Sequence, residues 1–502
     1  MEKIRILSVE LKNFKNIEAG IIEFGNYKNE TIMDDSKIIG IYGPNGSGKT
    51  CVIEAIDFIT TLIGYEGLPK DISEYISKSK DSMTIIISFY VEREGLNKQE
   101  SFYFPEKEIF EYEVTIKNLK NNEFLEKIPK ILKNELKTKS LENTLTSHFF
   151  RDAKFNQEIE EKIHIDEILR YREFKKNEWT RNKVLIKSID GVVTTNTRSL
   201  LSTSNLKLYL ELAKKERKSV IFSREFLNAA MENEKNIENI EIHSFLMKIL
   251  YFRTIVKTSV YISDNKTSSI ANCNIGISLS YATHITEDIT VCSRIMVDLY
   301  EPEFLQIEII EKLEKYLSKA NGVLNCLIPD LKIKIKKYEK EKNENNVSQQ
   351  KIELVSIRKN QEIPLRHESD GVKKIVSLLV NLIFVYNDPG YVLVIDEFDA
   401  NLFEYLLGEI IHLIEEYGKG QLIFTSHNLR PLEVLDKSHL RFTTHDTKNR
   451  FIKIPNVKST NNLRDLYMKN IFMNNEELKL YQSCSTSEIR RAFKKVGCFG
   501  DE

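Results

Sequence analysis

The chain has 502 residues, 41% hydrophobic and 29% charged, with a formal net charge of −1. That composition excludes a disordered or fibrous chain, and a core of this size requires no disulfide staples. Near-neutrality removes composition as an argument for a nucleic-acid coat, which would be strongly basic, and leaves room only for a local basic groove. The cysteines form no C-x-x-C pair and show no metal-ligand spacing with histidine, so they are expected to be reduced, buried thiols of a cytoplasmic protein. No apolar run approaches the roughly 18–20 residues needed to span a bilayer. The start, "MEKIRILSVELKNFKN", carries charges throughout and has no apolar signal core.

In chain order, "IRILSVELKNF" and "AGIIEF" alternate apolar and polar residues, which predicts two strands broken at Lys15–Asn16. After the polar "NYKNETIMDDSK", the fully apolar "IIGIY" predicts a buried central strand over Ile38–Tyr42. "GPNGSGKT" follows, Gly43 to Thr50. Then Val52, Ile53, Ile56, Ile59, Leu62 and Ile63 fall on one face of a helix. "SMTIIISFYVERE" and "FEYEVTIKN" predict further strands and close a first lobe, residues 1–125.

Residues 126–325 predict a mostly helical insertion. Its helices are expected at "FLEKIPKILKNEL", "FNQEIEEKIHIDEILRYREF" and "LKLYLELAKKER", with a strand pair, "TSVYISD" and "NIGISLSY", between them and an amphipathic helix at "PEFLQIEIIEKLEKYLSKANGVL". No heptads run long enough for a coiled-coil arm, and no internal repeat is visible. Residues 326–502 form a second lobe. It opens with a strand pair, "DLKIKIKKYEKE" and "KIELVSIRK", around the polar "KNENNVSQQ". Then come "HESDGVKKI" opening an apolar helix, the strand "YVLVIDE", a helix, and the strand "QLIFTSHN". "LRFTTHD", "RFIKIP" and a basic helical tail, "SEIRRAFKKVG", complete it. Strand–helix alternation around a glycine-rich loop predicts an α/β sheet.

"GPNGSGKT" fits G-x-x-x-x-G-K-[ST] throughout, between a buried strand and an amphipathic helix, which is the context the motif requires. Gly46 and Gly48 let backbone N–H groups curl around a phosphate, and the helix N-terminus favours an anion. The loop residues Gly43, Asn45, Gly46, Ser47, Gly48, Lys49 and Thr50 are therefore the candidate cofactor contacts. Lys49 would reach the β- and γ-phosphates of ATP, and Thr50 would ligate Mg²⁺. "YVLVIDEFD" places Asp396 and Glu397 at the carboxyl edge of the sheet, where ligands sit in such folds. Asp396 would hold Mg²⁺, and Glu397 would orient and deprotonate the attacking water. His427, at the end of the strand "QLIFT", suits a γ-phosphate sensor. Ser369 caps the helix whose face Val372, Ile375, Val376 and Leu379 would bury.

This order of motifs resembles ABC-type ATPase heads, among them the RecF/SMC-like and overcoming-lysogenisation-defect-like AAA-family ATP-binding proteins. The similarity covers roughly residues 1–125 and 325–502, and "LKNFKN" before "GPNGSGKT" carries it as well. "ESDGVKKIVSLL", "IDEFDANLFEYLLGEI" and "GQLIFTSHNLRPLE" are similar to compact bacterial ATPases linked to anti-phage defence. The resemblance implies a split ABC-type P-loop head that converts ATP and water to ADP and phosphate. ATP would be bound between two copies, with Ser369 and Gly371 contacting in trans the nucleotide held on the other copy's loop. Asp399 and Ala400 would lie in the loop that meets across that interface. It also implies a homodimer or higher homo-oligomer and a protein partner such as a toxin or nuclease.

The sequence departs from the family pattern in places. The signature usually has two glycines after its serine, and here Asp370 fills the first place, an acid near a γ-phosphate unless it turns away or is offset by Lys373 and Lys374. "DEF" replaces the family's Asp-Glu-Pro. Gln99, in "NKQESFYF", is the candidate for the metal-contacting glutamine, and Arg366 could reach a phosphate in trans. A RecF/SMC-like repair or recombination ATPase that binds DNA is the alternative function. A built-in nuclease is disfavoured, because 75 residues follow His427 and "THDTKNRF" offers no Asp-x-Asp.

Overall fold

The computed structural model describes residues 2–25, 37–94, 105–118, 163–175, 178–181, 183–189, 192–195, 203–233, 236, 239–264, 273, 275–284, 290–453, 463–472 and 486–497. The chain begins with strands β1 (Glu2–Phe14) and β2 (Ile17–Glu23), then β3 (Ile38–Tyr42) and helix α1 (Lys49–Ile63). Strands β4 (Ser82–Arg93), β5 (Lys107–Asn118), β6 (Ile163–Lys175), β7 (Glu178–Trp179), β8 (Lys183–Ile189) and β9 (Val192–Thr195) follow. Next are α2 (Thr203–Glu216), α3 (Arg224–Glu232), α4 (Ile240–Ser259) and β10 (Val260–Ser263). The chain continues with β11 (Gly276–His284), β12 (Thr290–Asp298), β13 (Glu303–Gln306) and α5 (Ile307–Leu327). Strands β14 (Lys332–Lys342), β15 (Ser348–Arg358) and β16 (Gln361–Pro364) lead into α6 (Asp370–Asn387), β17 (Val392–Ile395), α7 (Glu404–Tyr417) and β18 (Gln421–Thr425). The short α8 (Pro431–Val434), β19 (Leu440–Thr443), β20 (Phe451–Ile452), α9 (Leu463–Phe472) and α10 (Thr486–Gly497) complete the described chain.

Two sheets frame the molecule. The first is antiparallel, in the order β2-β1-β4-β5-β6-β8-β9 with β7 on β6. The second has the order β10-β17-β18-β3-β19-β20, with neighbours parallel from β10 to β19 and β20 antiparallel at the edge. Every residue of β3, β17 and β18 is buried. A parallel sheet covered on both faces demands apolar side chains at every position, which explains "IIGIY" and "VLVI". On one side, α1 turns Val52, Ile53, Ile56, Ile59, Leu62 and Ile63 into a core shared with β1, β4, β5 and α4. On the other, α6 and α7 bury Leu378, Leu382, Leu407, Ile411 and Ile414.

The two sheets are also joined by polar groups. The buried Gln421 side chain accepts from Ile6 N (2.8 Å) and donates to Ile6 O (3.0 Å), as a neighbouring strand's backbone would. It does so where the β1–β4 register shifts between Ile6 and Ser8. The guanidinium of Arg5, fully buried, donates to the carbonyl of Pro389 at 2.8 Å and to that of Lys419. Buried polar groups are costly to separate from their partners, so these contacts fix the second sheet against the first.

Several sequence expectations are corrected. "FNQEIEEKIHIDEILRYREF" predicts a helix, but its described part is strand β6, paired along its length with β5. Cross-strand partners decide the outcome: Arg170 reaches Glu111 (2.8 Å) and Glu113 (2.6 Å), while Leu169 and Tyr171 are buried. "TSVYISD" and "NIGISLSY" do not pair with each other. β10 joins β17 in the second sheet, and β11 pairs with β12. The thiols are not uniformly buried either, for Cys51 is buried while Cys273 and Cys326 are exposed. The helix expected at "FLEKIPKILKNEL" lies outside the described residues. No helix among the described residues is long and apolar enough to cross a membrane.

Candidate functional site

The loop after β3 takes the shape its glycines allow. Gly46 and Gly48 have φ of 73° and 96°, a left-handed geometry that side chains resist. A Cβ on Gly43 would lie 1.9 Å from the Thr443 hydroxyl, so this glycine is required by close approach of β19. Asn45 and Gly46 stand exposed at the crest, and Ser47 is buried. The Ser47 hydroxyl donates to Pro44 O (2.6 Å) and shares a 2.5 Å hydrogen bond with Thr443. The Lys49 ammonium donates back to the carbonyls of Gly43 (2.8 Å) and Pro44 (3.0 Å), which places it inside the curl of the loop. Burial lowers its pKa, and the charges of Asp396, Glu397 and Asp399 act in the opposite direction.

Three residues that sequence reasoning missed brace this loop. Asn16 donates its side-chain N–H to Gly46 O (2.7 Å), and the buried Arg450 donates to Asn16 O (2.5 Å) and to Thr444 O (2.8 Å). With Thr443 they tie the loop to β19 and to the β1–β2 turn. Asn16 is the last residue of "LKNFKN", the one local signal. Thr443 and Arg450 lie about 400 residues from the loop in sequence, as the Ser47–Thr443 separation of 396 shows.

The carboxylates arrive from the next strand but one. Asp396, almost fully buried at the end of β17, accepts from Thr50 (3.4 Å) and Thr425 (2.5 Å) on the same oxygen, Oδ1. Burial raises its pKa, and these two hydroxyl donors act to lower it. A hydroxyl and a carboxylate converging from α1 and β17 are hard oxygen donors of the type Mg²⁺ takes, so the residues present fit that ion. Among the described residues no cluster of three His, Cys, Asp or Glu side chains forms a self-sufficient metal site. Glu397 has φ of 48°, unusual for a non-glycine residue. Its N–H donates to the Thr425 hydroxyl (2.8 Å) and its carbonyl accepts from Lys374 (2.5 Å).

His427 is exposed beyond β18. Its backbone N–H and that of Asn428 donate to Asp399 (3.1 and 3.0 Å), so the loop after Glu397 holds the histidine loop. Partial burial of the ring, then the Lys49 charge, lower the imidazole pKa, and the Asp399, Glu397 and Asp396 carboxylates act in the opposite direction.

Ser369 caps α6, its hydroxyl accepting from Val372 N (3.4 Å), and Val372, Ile375, Val376 and Leu379 are buried behind it. Asp370 turns to Lys373 at 2.8 Å, in the first turn where the helix favours an acid. Arg366 is engaged by Glu353 at 2.8 Å in the same chain. Gln99 lies outside the described residues. The structure thus gathers Lys49, Thr50, Asp396, Glu397 and His427 at one edge of the second sheet. Ser369 and Gly371 stand at the N-terminus of α6, next to the loop after Glu397.

Comparison with known proteins places the chain in a family. A family model described as RecF/RecN/SMC N terminal domain matches residues 6–450. The DNA replication and repair protein RecF of Chlorobaculum tepidum is 32% identical over 90 residues, 17% of this chain and 24% of that protein. Its counterpart from Chlorobaculum parvum is 31% identical over 90 residues, with the same coverage. The matched stretch therefore spans about a quarter of the length of these relatives. Among solved structures, a Pyrococcus furiosus Smc head domain bound to the C-terminal domain of ScpA aligns over 94% of this chain and all of that one, at 14% identity and a TM-score of 0.37. A RecF–ATP structure aligns over 90% of this chain and all of that one, at 12% identity and a TM-score of 0.33. The family model runs from within β1 to just before β20 and includes every described residue of the site, and the chain belongs to the RecF/RecN/SMC N-terminal domain family.

Proposed function

We propose that the chain is an ATPase that works as a switch, its heads pairing through bound ATP and separating after hydrolysis. The observation that carries this is the approach of Thr50 to Asp396, 3.4 Å apart across 346 residues of sequence, beside the Lys49 ammonium. A phosphate cradle, a cation, a hydroxyl and a carboxylate at one sheet edge are the parts phosphoryl transfer needs. The loop N–H groups and Lys49 bind the phosphates, and Thr50 with Asp396 would hold Mg²⁺, which neutralises phosphate charge when bound. Glu397 accepts the proton of the attacking water, and His427 donates toward the γ-phosphate. Ser369 and Gly371 of a second copy close the site from the other side, where a capped helix N-terminus faces an anion.

The work done by this switch is proposed to be on DNA, in repair or recombination. The family match and two relatives named for DNA replication and repair favour that over control of a separate toxin or nuclease in anti-phage defence. Duplex DNA is expected to stimulate hydrolysis with a steep loss as salt rises. Salt-independent hydrolysis, unchanged by DNA, would favour a protein effector instead.

Pairing is tested by Ser369→Arg. The exposed hydroxyl makes only the 3.4 Å cap contact, so the fold and ATP binding by single heads should survive. The bulk of a long side chain, which blocks close approach and outweighs its attraction to the phosphate, is expected to weaken ATP-dependent pairing by about tenfold or more, which is about 1.4 kcal/mol. Light scattering with a non-hydrolysable analogue measures this. Parent pairing and parent hydrolysis in the variant would exclude a trans role for this segment.

A further inference from the structure

Two consecutive lysines follow the signature serine, and both are buried, Lys373 at 2% and Lys374 at 6% exposure. Lysine is rarely buried without strong partners. Lys373 has one on its own helix, Asp370. Lys374 reaches out of its helix instead. Its ammonium donates to the carbonyls of Glu397 (2.5 Å) and Ala400 (3.1 Å), and the Asp396, Glu397 and Asp399 carboxylates lie close enough to act on its charge. Charge-assisted hydrogen bonds of this kind are about twice as strong as neutral ones.

A second contact joins the same two pieces. A Cβ on Gly371 would lie 2.3 Å from the carbonyl oxygen of Asn401, so the helix start rests directly on that backbone. Glu397 and Asn401, at φ of 48° and 62°, bracket the segment between these contacts. Asparagine adopts left-handed geometry readily, but at Glu397 it needs outside restraint. Here Thr425 holds the N–H of Glu397 and Lys374 holds its carbonyl. The peptide planes on either side of the water-activating residue are therefore fixed from two different elements, β18 and α6.

We propose that Lys374 is a positioning residue, tying the turn that carries Ser369 and Gly371 to the backbone of Glu397, so that engagement of this turn by a second copy's nucleotide sets the aim of the Glu397 carboxylate. The proposal rests on the pairing of heads through ATP. The mechanics are short-range. Lys374 lies five residues beyond Ser369, about 7.5 Å along the helix at 1.5 Å per residue, so the two move as one rigid piece. A displacement of the helix start is passed through two hydrogen bonds to the Glu397 and Ala400 carbonyls. Misplacement of a catalytic group by about 1 Å lowers a rate by about 100-fold, so a small movement suffices to separate an idle head from a hydrolysing one.

The test uses the full chain with Lys374→Met, which keeps the aliphatic stem and removes the ammonium. ATP affinity and ATP-dependent pairing are expected to stay at parent values, while kcat falls about tenfold or more at unchanged KM. Lys374→Arg, which restores the charge and donors, should recover part of the rate. If Lys374→Met does not fold, Lys374→Leu, which also lacks any donor for the two carbonyls, takes its place with the same expectation. Parent kcat in a folded neutral variant would overturn the proposal, as would loss of pairing in parallel with kcat, because Lys374 would then only support the interface. Ser369→Arg separates the two levels. If heads do not pair through this turn, Ser369→Arg hydrolyses ATP at the parent rate. If only the relay is wrong, Ser369→Arg is impaired and Lys374→Met is not.

Discussion

Glu397→Gln is expected to bind ATP as the parent does, to hydrolyse it about 10²–10⁴-fold more slowly, and to accumulate paired heads. That range is what a positioned general base contributes. The substitution changes one oxygen to an amide nitrogen and leaves the backbone alone. The restraints on this residue are backbone restraints, from Thr425 on its N–H and Lys374 on its carbonyl, so the φ of 48° should persist. Lys49, Thr50 and Asp396 are untouched, which preserves nucleotide affinity. Pairing that ends only by hydrolysis then becomes long-lived. Phosphate release measures the rate, and light scattering with ATP measures the trapped pair. Hydrolysis at the parent rate would assign the base elsewhere. Asp399 would be the first alternative, although its carboxylate is already occupied by the N–H groups of His427 and Asn428.

How much of this site can be read without coordinates follows from how local its parts are. "GPNGSGKT" is legible because a phosphate loop is eight contiguous residues whose glycines and lysine each have a separate physical reason. "VLVIDE" is legible because a parallel strand buried on both faces must be continuously apolar, and the carboxylates mark where it ends. What the sequence withholds is pairing between distant segments. β6 looks helical by charge pattern and becomes a strand because β5 offers it partners such as Glu111 and Glu113 for Arg170. β10 gives no sign that it will edge the second sheet, yet the carbonyl of Ser263 accepts from Asp396 N at 2.9 Å. The braces of the phosphate loop, Thr443 and Arg450, belong to the same class.

Asp370 shows the opposite case, in which a local oddity has a local answer. An acid beside a γ-phosphate would be repelled, and the ion pair with Lys373 at 2.8 Å turns it aside along its own helix. The signature surface is left to Ser369, Gly371 and the helix N-terminus. Lys374, one residue on, is released from that task and is directed to the loop after Glu397. In the proposed pairing, the same helix start would face a second copy with Ser369 and Gly371, while Lys374 meets the loop after Glu397 in its own chain.

Lys49→Ala is expected to weaken ATP binding by about 10³-fold. An ammonium about 4 Å from one phosphate charge is worth about 4 kcal/mol at an effective dielectric constant near 20, and each 1.4 kcal/mol is tenfold. Lys49 is 6% exposed, so added salt should recover little of the difference between parent and variant. Part of the loss comes from the loop itself, since the ammonium now satisfies the carbonyls of Gly43 and Pro44. Lys49→Met removes the same ammonium but keeps the stem, so a matching loss in this variant excludes an opened cavity as the cause. Titration calorimetry with a non-hydrolysable analogue measures the affinity directly. Thermal unfolding gives an independent reading: ligand at 100 times its Kd stabilises a folded chain by about 2.7 kcal/mol, an increment both variants should lose. Affinity within about threefold of the parent in Lys49→Met would mean that the backbone N–H groups and the helix N-terminus carry phosphate binding alone. The proposed part of Lys49 in the site would then have to be withdrawn.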